Sequence, residues 1–313
     1  MNAFNKLITV AAVAAACAPV RQRPTTIVAL FGPAVGRETV SGRADDATGG
    51  IWLMVGGTSL VRVELASGRW TAARLQATGG DQFWGLARLA DGTLWTLNGR
   101  NALTQIATDG TVVRQMGSGN AYLGIFSGGD RLVLQRTRLA VGTPAMITMI
   151  PTDGNERPWS GMMVRPFERL GLGAATAMNL VSCGTSERAE VPCWFPDEPA
   201  LSLITADGTT RRLMLEGLPQ IAPEVLIKAT VPSRPIRDVF VERDGTIWVL
   251  AGGTPPISSP VNTPGGWILA RYGLKGQPID RRVLPEPVRA ILRAKKGKAV
   301  VLTGAGMIAE VQP

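Results

Sequence analysis

A tryptophan-containing hairpin sequence recurs along this chain. The two clearest copies are residues 83–99 (FWGLARLADGTLWTLNG) and 236–253 (IRDVFVERDGTIWVLAGG), and residues 44–57 (ADDATGGIWLMVGG) are a divergent third. In the clear copies an Asp-Gly turn separates two runs rich in apolar, β-branched and aromatic residues, which is typical of a β-hairpin. One tryptophan takes the same place in each copy: Trp52, Trp95 and Trp248. This recurrence indicates a repeat architecture built from stacked copies of one unit.

Short apolar runs separated by turns extend this pattern over most of the chain. Four units of about four runs each cover residues 37–75, 83–116, 121–165 and 175–218, and a fifth contains the second clear hairpin. The 37 glycines and 22 prolines lie mostly between these runs, which favours an all-β protein with many turns.

The last unit, from about residue 288, has only three runs, and an unpaired run at 25–32 (TTIVALFG) precedes the first unit. We expect the N-terminal run to supply the missing strand, because closing the ring removes exposed sheet edges. The sequence therefore predicts a six-bladed β-propeller over 25–313 as a single domain. Five, seven or eight blades remain alternatives if the fourth unit or the loop after Val249 is divided differently.

The Asp-Gly-Thr-(Leu/Ile)-Trp hairpins at Asp91–Trp95 and Asp244–Trp248 carry a resemblance to known proteins, together with the turns at Asp109, Asp153 and Asp207. The chain resembles the six-bladed propellers of the NHL-repeat, virginiamycin B lyase and gluconolactonase type. This resemblance implies the architecture. It implies no particular ligand or reaction.

The first residues read as a targeting signal. Residues 1–16 contain a ten-residue apolar or small-residue run, which is too short to span a bilayer, and end in Ala14-Ala15-Ala16 before Cys17. This segment resembles a bacterial lipoprotein signal, in which Cys17 would be lipidated and residues 17–24 would form a tether. Ala14 departs from the leucine that such signals favour, so cleavage after an Ala-x-Ala sequence is the alternative. Either way we expect an exported protein on the periplasmic side of the envelope, at the inner or the outer membrane.

The other two cysteines suit an oxidising compartment. Cys183 and Cys193 are ten residues apart and bracket a polar stretch, so we expect a disulfide, with two buried free thiols as the alternative. Two cysteines without any histidine make a poor metal site.

Positive charge is concentrated near the C-terminus. The chain has a formal net charge of +9, and residues 271–298 hold nine basic residues against two acidic ones. For an exported protein this favours an anionic membrane surface or an acidic protein subunit over nucleic acid; a solvated basic edge is the alternative. Propeller topology places the main lysines and the tether arginines on one face, which we interpret as the docking face: Arg21, Arg23, Lys275, Lys295, Lys296 and Lys298. Longer loops belong to the opposite face and offer a second interaction surface: Arg136, Arg138, Pro255, Pro256 and Asn262.

Catalytic signals are weak. The sequence lacks histidine, which excludes His-based triads, His general bases and His metal ligands. Asp81, Glu168 and Asp238 are carboxylates that could face a central channel, but no motif joins them, and we interpret them as solvated or paired with arginines. We read the Asp-Gly pairs as turns rather than calcium ligands, and the repeated tryptophans as packing between blades. We therefore predict no metal and no cofactor.

These observations favour a non-catalytic, exported and lipid-anchored propeller that acts as an extrinsic scaffold or docking subunit of a membrane-associated complex. The host could be an assembly, respiratory or photosynthetic complex. Two alternatives remain at this point: a lactonase or lyase with a carboxylate-bound metal, and a carbohydrate or peptide sensor that uses the long loops.

Overall fold

Six four-stranded antiparallel units form a six-bladed β-propeller in the computed structural model. It describes residues 22–23, 25–31, 40–46, 48–76, 82–100, 102–117, 122–136, 140–167, 172–218, 234–252 and 267–312. Within these ranges, one short helix, α1 (Leu172–Met178), accompanies the strands. In the same ranges, no helix has both the length and the apolar character needed to cross a membrane.

The strands of each blade run in order from the channel to the outer edge. Blade 1 contains β3 (Val40–Asp45), β4 (Gly50–Val55), β5 (Ser59–Glu64) and β6 (Trp70–Arg74). Blade 2 contains β7 (Phe83–Arg88), β8 (Leu94–Asn98), β9 (Leu103–Ile106) and β10 (Val112–Met116). Blade 3 contains β11 (Tyr122–Gly128), β12 (Arg131–Arg136), β13 (Pro144–Met149) and β14 (Glu156–Met163). Blade 4 contains β15 (Ser182–Cys183), β17 (Val191–Trp194), β18 (Ala200–Ile204) and β19 (Thr210–Met214). Blade 5 contains β20 (Arg234–Val241), β21 (Ile247–Gly252), β22 (Trp267–Tyr272) and β23 (Pro278–Leu284), and blade 6 contains β24 (Val288–Lys295), β25 (Lys298–Thr303), β26 (Ile308–Gln312) and β2 (Thr26–Phe31).

The N-terminal strand closes the ring. Strand β2 pairs antiparallel with β26, in a register that sets Thr26 opposite Gln312 and Phe31 opposite Ile308. The predicted closure of the last blade by the first strand is thereby confirmed. It joins the two ends of the chain in one sheet, so that no blade is left with three strands.

Two further strands connect blades in a way that the repeat pattern did not predict. Strand β1 (Gln22–Arg23) pairs in parallel with β23, at the outer edge of blade 5. Strand β16 (Thr185–Ser186) leaves blade 4 after Gly184 and pairs in parallel with β20, the innermost strand of blade 5. Each is only two residues long, and each ties a segment of chain to a blade other than its own.

The hydrophobic core lies between neighbouring blades, and the repeated tryptophans belong to it. Trp248 is fully buried against blade 6, Trp95 packs on blade 3, and Trp52 packs on blade 2. The Asp-Gly pairs are turns: Gly245 has φ of 92°, and the Asp244 carboxylate accepts a hydrogen bond from the amide of Thr246 at 2.8 Å. A side chain at position 245 would be strained at this φ, which explains the glycine.

The predicted disulfide between Cys183 and Cys193 is present. The two cysteines are directly paired residues of β15 and β17. The bond therefore fastens the innermost strand of blade 4 to its neighbour just before the chain crosses to blade 5 at Gly184.

Candidate functional site

The central channel contains a cavity with a volume of about 910 Å³. It is lined by β3, β7, β11, β15, β16, β20 and β24. Neighbouring strands come into backbone contact along it. A Cβ atom at Gly184 would lie 2.2 Å from the carbonyl oxygen of Val239, and one at Gly42 would lie 2.4 Å from the backbone of Gly85. Glycine at these positions lets the inner strands approach closely.

Arg43 and Asp238 form an ion pair between two inner strands that line the channel. Arg43 lies on blade 1 and Asp238 on blade 5, and the two carboxylate oxygens accept hydrogen bonds from the two terminal nitrogens of the guanidinium, one at 2.7 Å. The amide of Ile291, on blade 6, also donates to Asp238 at 2.6 Å. Arg43 in turn donates to the Ile291 carbonyl at 2.6 Å and to the Thr185 hydroxyl at 3.0 Å. The pair thus connects the inner strands of blades 1, 5 and 6 and strand β16.

Another channel carboxylate, Asp45, lies at the end of strand β3. Burial raises the pKa of Asp45 above its ordinary value, and the charge of Glu187 acts in the same direction. The positive charges of Arg43, Arg293 and Arg88 oppose this effect without cancelling it. The carboxylate of Asp45 makes no hydrogen bond to another described residue. No such bond therefore offsets the cost of burying its negative charge.

These carboxylates do not fit a divalent cation. Asp238 is already neutralised by Arg43, and Asp45 faces three arginines whose charge would repel a metal ion. Among the residues that the structure places, no group of three or more potential metal ligands comes together. Asp81 and Glu168, the other candidate channel carboxylates, lie outside the described residues.

The four lysines of the docking face are exposed and lie in turns of two neighbouring blades. Lys275 is in the turn between β22 and β23, while Lys295, Lys296 and Lys298 surround the turn between β24 and β25. Only Lys298 forms an ion pair with a described residue, Glu310, at 3.0 Å. We call the surface formed by these four residues the lysine face.

The remaining predicted interaction residues are only partly described. Arg23 belongs to β1, and Arg136 ends β12 and forms a 3.1 Å ion pair with Glu156. The others lie outside the described residues: Cys17, Arg21, Arg138, Pro255, Pro256 and Asn262. Their roles in lipidation, docking and loop recognition stay predictions.

A buried network behind the lysine face was missed from the sequence. The guanidinium groups of Arg271 and Arg282 lie 5.3 and 5.4 Å from the centre of the Trp248 ring, within cation–π range. Both also pair with Asp280, at 2.6 and 3.4 Å. Two of the nine basic residues in 271–298 are therefore internal, and the exposed positive charge of this segment is smaller than its sequence indicates.

Glu242 extends this network to the lysine face. Its carboxylate accepts a hydrogen bond from the indole nitrogen of Trp248 at 2.6 Å and one from the amide of Lys296 at 3.3 Å. Lys296 has φ of 51°, unusual for a residue other than glycine. The network therefore holds the lysine turn on blade 6 against blade 5. The sequence of β23 gives no signal for this network, because the strand buries the charged Asp280 and Arg282 and exposes the apolar Ile279 and Val283.

Comparisons with solved structures agree with the fold. A member of the DUF4221 family from Bacteroides vulgatus is 11% identical, with a TM-score of 0.61, over 93% of this chain and 98% of that one. A calcium-binding protein, regucalcin, from Agrobacterium tumefaciens is 14% identical, with a TM-score of 0.53, over 92% and 94%. Virginiamycin B lyase from Staphylococcus aureus is 14% identical, with a TM-score of 0.50, over 92% and 99%.

No protein-family model matches the sequence, and no curated protein matches it. At 11 to 14% identity, the structural likenesses show the propeller fold alone. The activities in the names of these proteins are therefore not evidence of an activity in this chain.

Proposed function

We propose that this protein is an exported, lipid-anchored, non-catalytic propeller that serves as a docking or scaffold subunit of a membrane-associated complex in the cell envelope. Its partners are protein subunits of that complex and an anionic membrane surface. The channel acts as the structural axis of the ring, and the outer surfaces make the interactions.

The observation that supports this proposal most directly is the engagement of Asp238 by Arg43. A catalytic or metal-binding carboxylate needs free lone pairs directed at its ligand. In this channel those lone pairs accept hydrogen bonds from Arg43 and from the Ile291 amide. The carboxylate of Asp238 therefore serves to hold the inner strands of blades 1, 5 and 6 together.

Export is supported by two independent features. Disulfides persist in oxidising compartments such as the bacterial periplasm, and Cys183 and Cys193 are bonded. The first sixteen residues resemble a signal segment followed by Cys17.

Docking is supported by the lysine face. Three exposed lysines within four residues, Lys295, Lys296 and Lys298, project from one turn, and the contact of Glu242 with Lys296 holds that turn in place. A fixed cluster of cations attracts acidic protein surfaces and anionic headgroups and accelerates association.

The decisive experiment is purification of the tagged protein from gently solubilised membranes of its native host. We expect incorporation of a radiolabelled fatty acid that is lost in Cys17→Ser, and co-purification of stoichiometric partner subunits. The double variant Lys295→Glu with Lys296→Glu should reduce partner recovery about tenfold or more.

Arg74→Glu with Arg114→Glu is the matched control, because it reverses two exposed charges on the outer strands of blades 1 and 2. A protein that is unlipidated and always recovered as a lone soluble monomer would refute the proposed function. Equal partner recovery with both double variants would refute the role of the lysine face.

A further inference from the structure

We infer that the outer edge of blade 5 rests on an anionic lipid bilayer, so that the propeller stands edge-on and its two faces both open to water. We call this surface the blade 5 rim and define it by the row Ile279, Arg281 and Val283. The inference rests on the proposed function, because it takes a membrane anchor at Cys17 as its premise.

The first argument is the path of the tether. Strand β1 pairs with β23 in a register that sets Gln22 opposite Arg281 and Arg23 opposite Arg282. β23 is the outermost strand of its own blade, so the tether joins the propeller at the rim and not at either mouth of the channel.

The second argument is the length of chain between the anchor and the rim. Cys17 precedes Gln22 by five residues, and five extended residues span at most about 18 Å. A lipid attached at Cys17 therefore keeps β23 close to the headgroups. The row Ile279, Arg281 and Val283 consequently lies within reach of the bilayer in any orientation of the propeller relative to the membrane.

The third argument is the chemistry of the row itself. Residues 279, 281 and 283 alternate along β23 with buried residues, so their side chains share one side of the strand. Ile279 is 50% exposed and Val283 is 40% exposed, and the partly buried Arg281 lies between them. Two apolar side chains flanking a basic one suit the boundary between anionic headgroups and acyl chains.

Further apolar side chains are exposed near the blade 5 rim. Leu274 is exposed in the turn that precedes β23, and Val28 and Leu30 are exposed on β2, the outermost strand of blade 6. Contact at the rim leaves the lysine face and the channel mouths free. Membrane contact and protein docking would then use different surfaces of the molecule.

The test uses the mature chain coupled through the Cys17 thiol to a maleimide lipid in vesicles of equal parts phosphatidylglycerol and phosphatidylethanolamine. Coupling is specific, because the other two cysteines are joined in the disulfide. A benzoylphenylalanine photo-crosslinker replaces Val283 in one variant, Val113 on β10 of the opposite blade in a second, and Lys296 in a third.

We expect the crosslinker at position 283 to yield about tenfold more lipid adduct than that at position 113, with little adduct at position 296. Adding Ile279→Glu to the first variant should abolish most of this excess, whereas adding Gln115→Glu should not. Equal yields at 283 and 113, or an excess at 296, would overturn the rim assignment.

The chemical coupling makes this test independent of lipidation in the cell. A failure here would therefore leave the fatty-acid labelling and partner recovery of the proposed function standing. Failure of those two measurements would instead remove the anchor on which the inference rests.

Discussion

The guanidinium of Arg43 and the carboxylate of Asp238 form a two-point ion pair between blades 1 and 5, across the innermost strand of blade 6. The two residues are 195 positions apart in the chain. Both side chains are mostly buried, and both make further hydrogen bonds to the backbone of blade 6. The pair thus connects three blades directly, and the first prediction concerns it.

Asp238→Ala should lower the free energy of unfolding by about 3 to 5 kcal/mol, because it leaves the Arg43 charge buried without its partner. Urea denaturation followed by tryptophan fluorescence measures this. The double variant Arg43→Met with Asp238→Leu should recover much of the loss. Glu64→Ala, which removes an exposed partner of Arg69, is the control and should change stability little. A loss for Asp238→Ala no greater than the control would contradict the structural role of the pair.

Replacing both Cys183 and Cys193 with alanine should lower the free energy of unfolding by about 2 to 3 kcal/mol, as expected for a short closed loop. The reduced wild-type protein should unfold at nearly the same urea concentration as the double variant. Further destabilisation of the double variant by reductant would contradict a simple disulfide effect, because no bond then remains to be reduced.

Asp45→Asn should stabilise the protein at neutral pH. The pKa of Asp45 is raised by burial, so its charged form is disfavoured in the folded state. Protonated Asp45 therefore contributes fully to the stability of the fold below the ordinary pKa of aspartate, which is near 4. This contribution is lost as the pH rises through the raised pKa of Asp45. The difference in urea midpoint between variant and wild type should therefore be largest at pH 7 and vanish in acid.

Asp280→Asn should show the opposite pH dependence and serves as the matched control. Burial alone would raise the pKa of Asp280, but the hydrogen bonds and charges of Arg271 and Arg282 outweigh it and lower the pKa. Asp280 therefore stabilises the protein above pH 4 and loses this contribution as the pH falls through its lowered pKa. Asp280→Asn should have a lower urea midpoint than the wild type at pH 7, and this difference should become smaller in acid. A variant whose stability difference changes with pH in the opposite direction would refute the assignment for that residue.

Gly184→Ala should cost about 1 to 3 kcal/mol, since the new methyl group would overlap the carbonyl of Val239 and push β16 away from β20. Gly173→Ala is a suitable control. Position 173 is exposed at the start of α1 with no atom within 4 Å of the new Cβ, so alanine there should be neutral or stabilising by up to about 1 kcal/mol. Equal urea midpoints for the two variants would contradict the close approach of blades 4 and 5.

The purified protein should carry no stoichiometric divalent metal, and excess calcium should leave its melting temperature unchanged. The reason is that an arginine lies beside each described carboxylate that lines the channel: Asp45, Asp130, Glu190 and Asp238. Elemental analysis and thermal unfolding test this. A stoichiometric ion that is lost in Asp45→Asn or Asp238→Asn would favour the metal-dependent lactonase or lyase alternative.

Much of the fold could be read from the sequence because its signals are local and repeated. The Asp-Gly turns, the alternating apolar runs and the tryptophans specify hairpins over stretches of fewer than twenty residues. Six such units cannot bury their faces alone, and a three-run last unit needs a fourth strand. Ring closure by β2 followed from this reasoning, whereas the disulfide was predicted from the spacing of Cys183 and Cys193 and from an oxidising compartment.

The site could be predicted only in part. Asp238 was predicted as a channel candidate that is either solvated or paired with an arginine, but the sequence offers more than twenty arginines and no means of choosing Arg43. The same holds for the packing of Arg271 and Arg282 on Trp248, and for the tether strand β1 on β23. Each of these contacts depends on how neighbouring blades and the tether pack against one another.

The sequence by itself therefore determined the hairpin unit, its repetition along the chain and the absence of histidine chemistry, since these depend on residue type and short-range periodicity. The tertiary structure alone decided which charges are neutralised inside the ring, which lysines stay exposed, and where the tether meets the propeller. The physical reason is that ion pairing, burial and edge-strand pairing act between residues that are distant in the chain, and their partners exist only once the ring has closed.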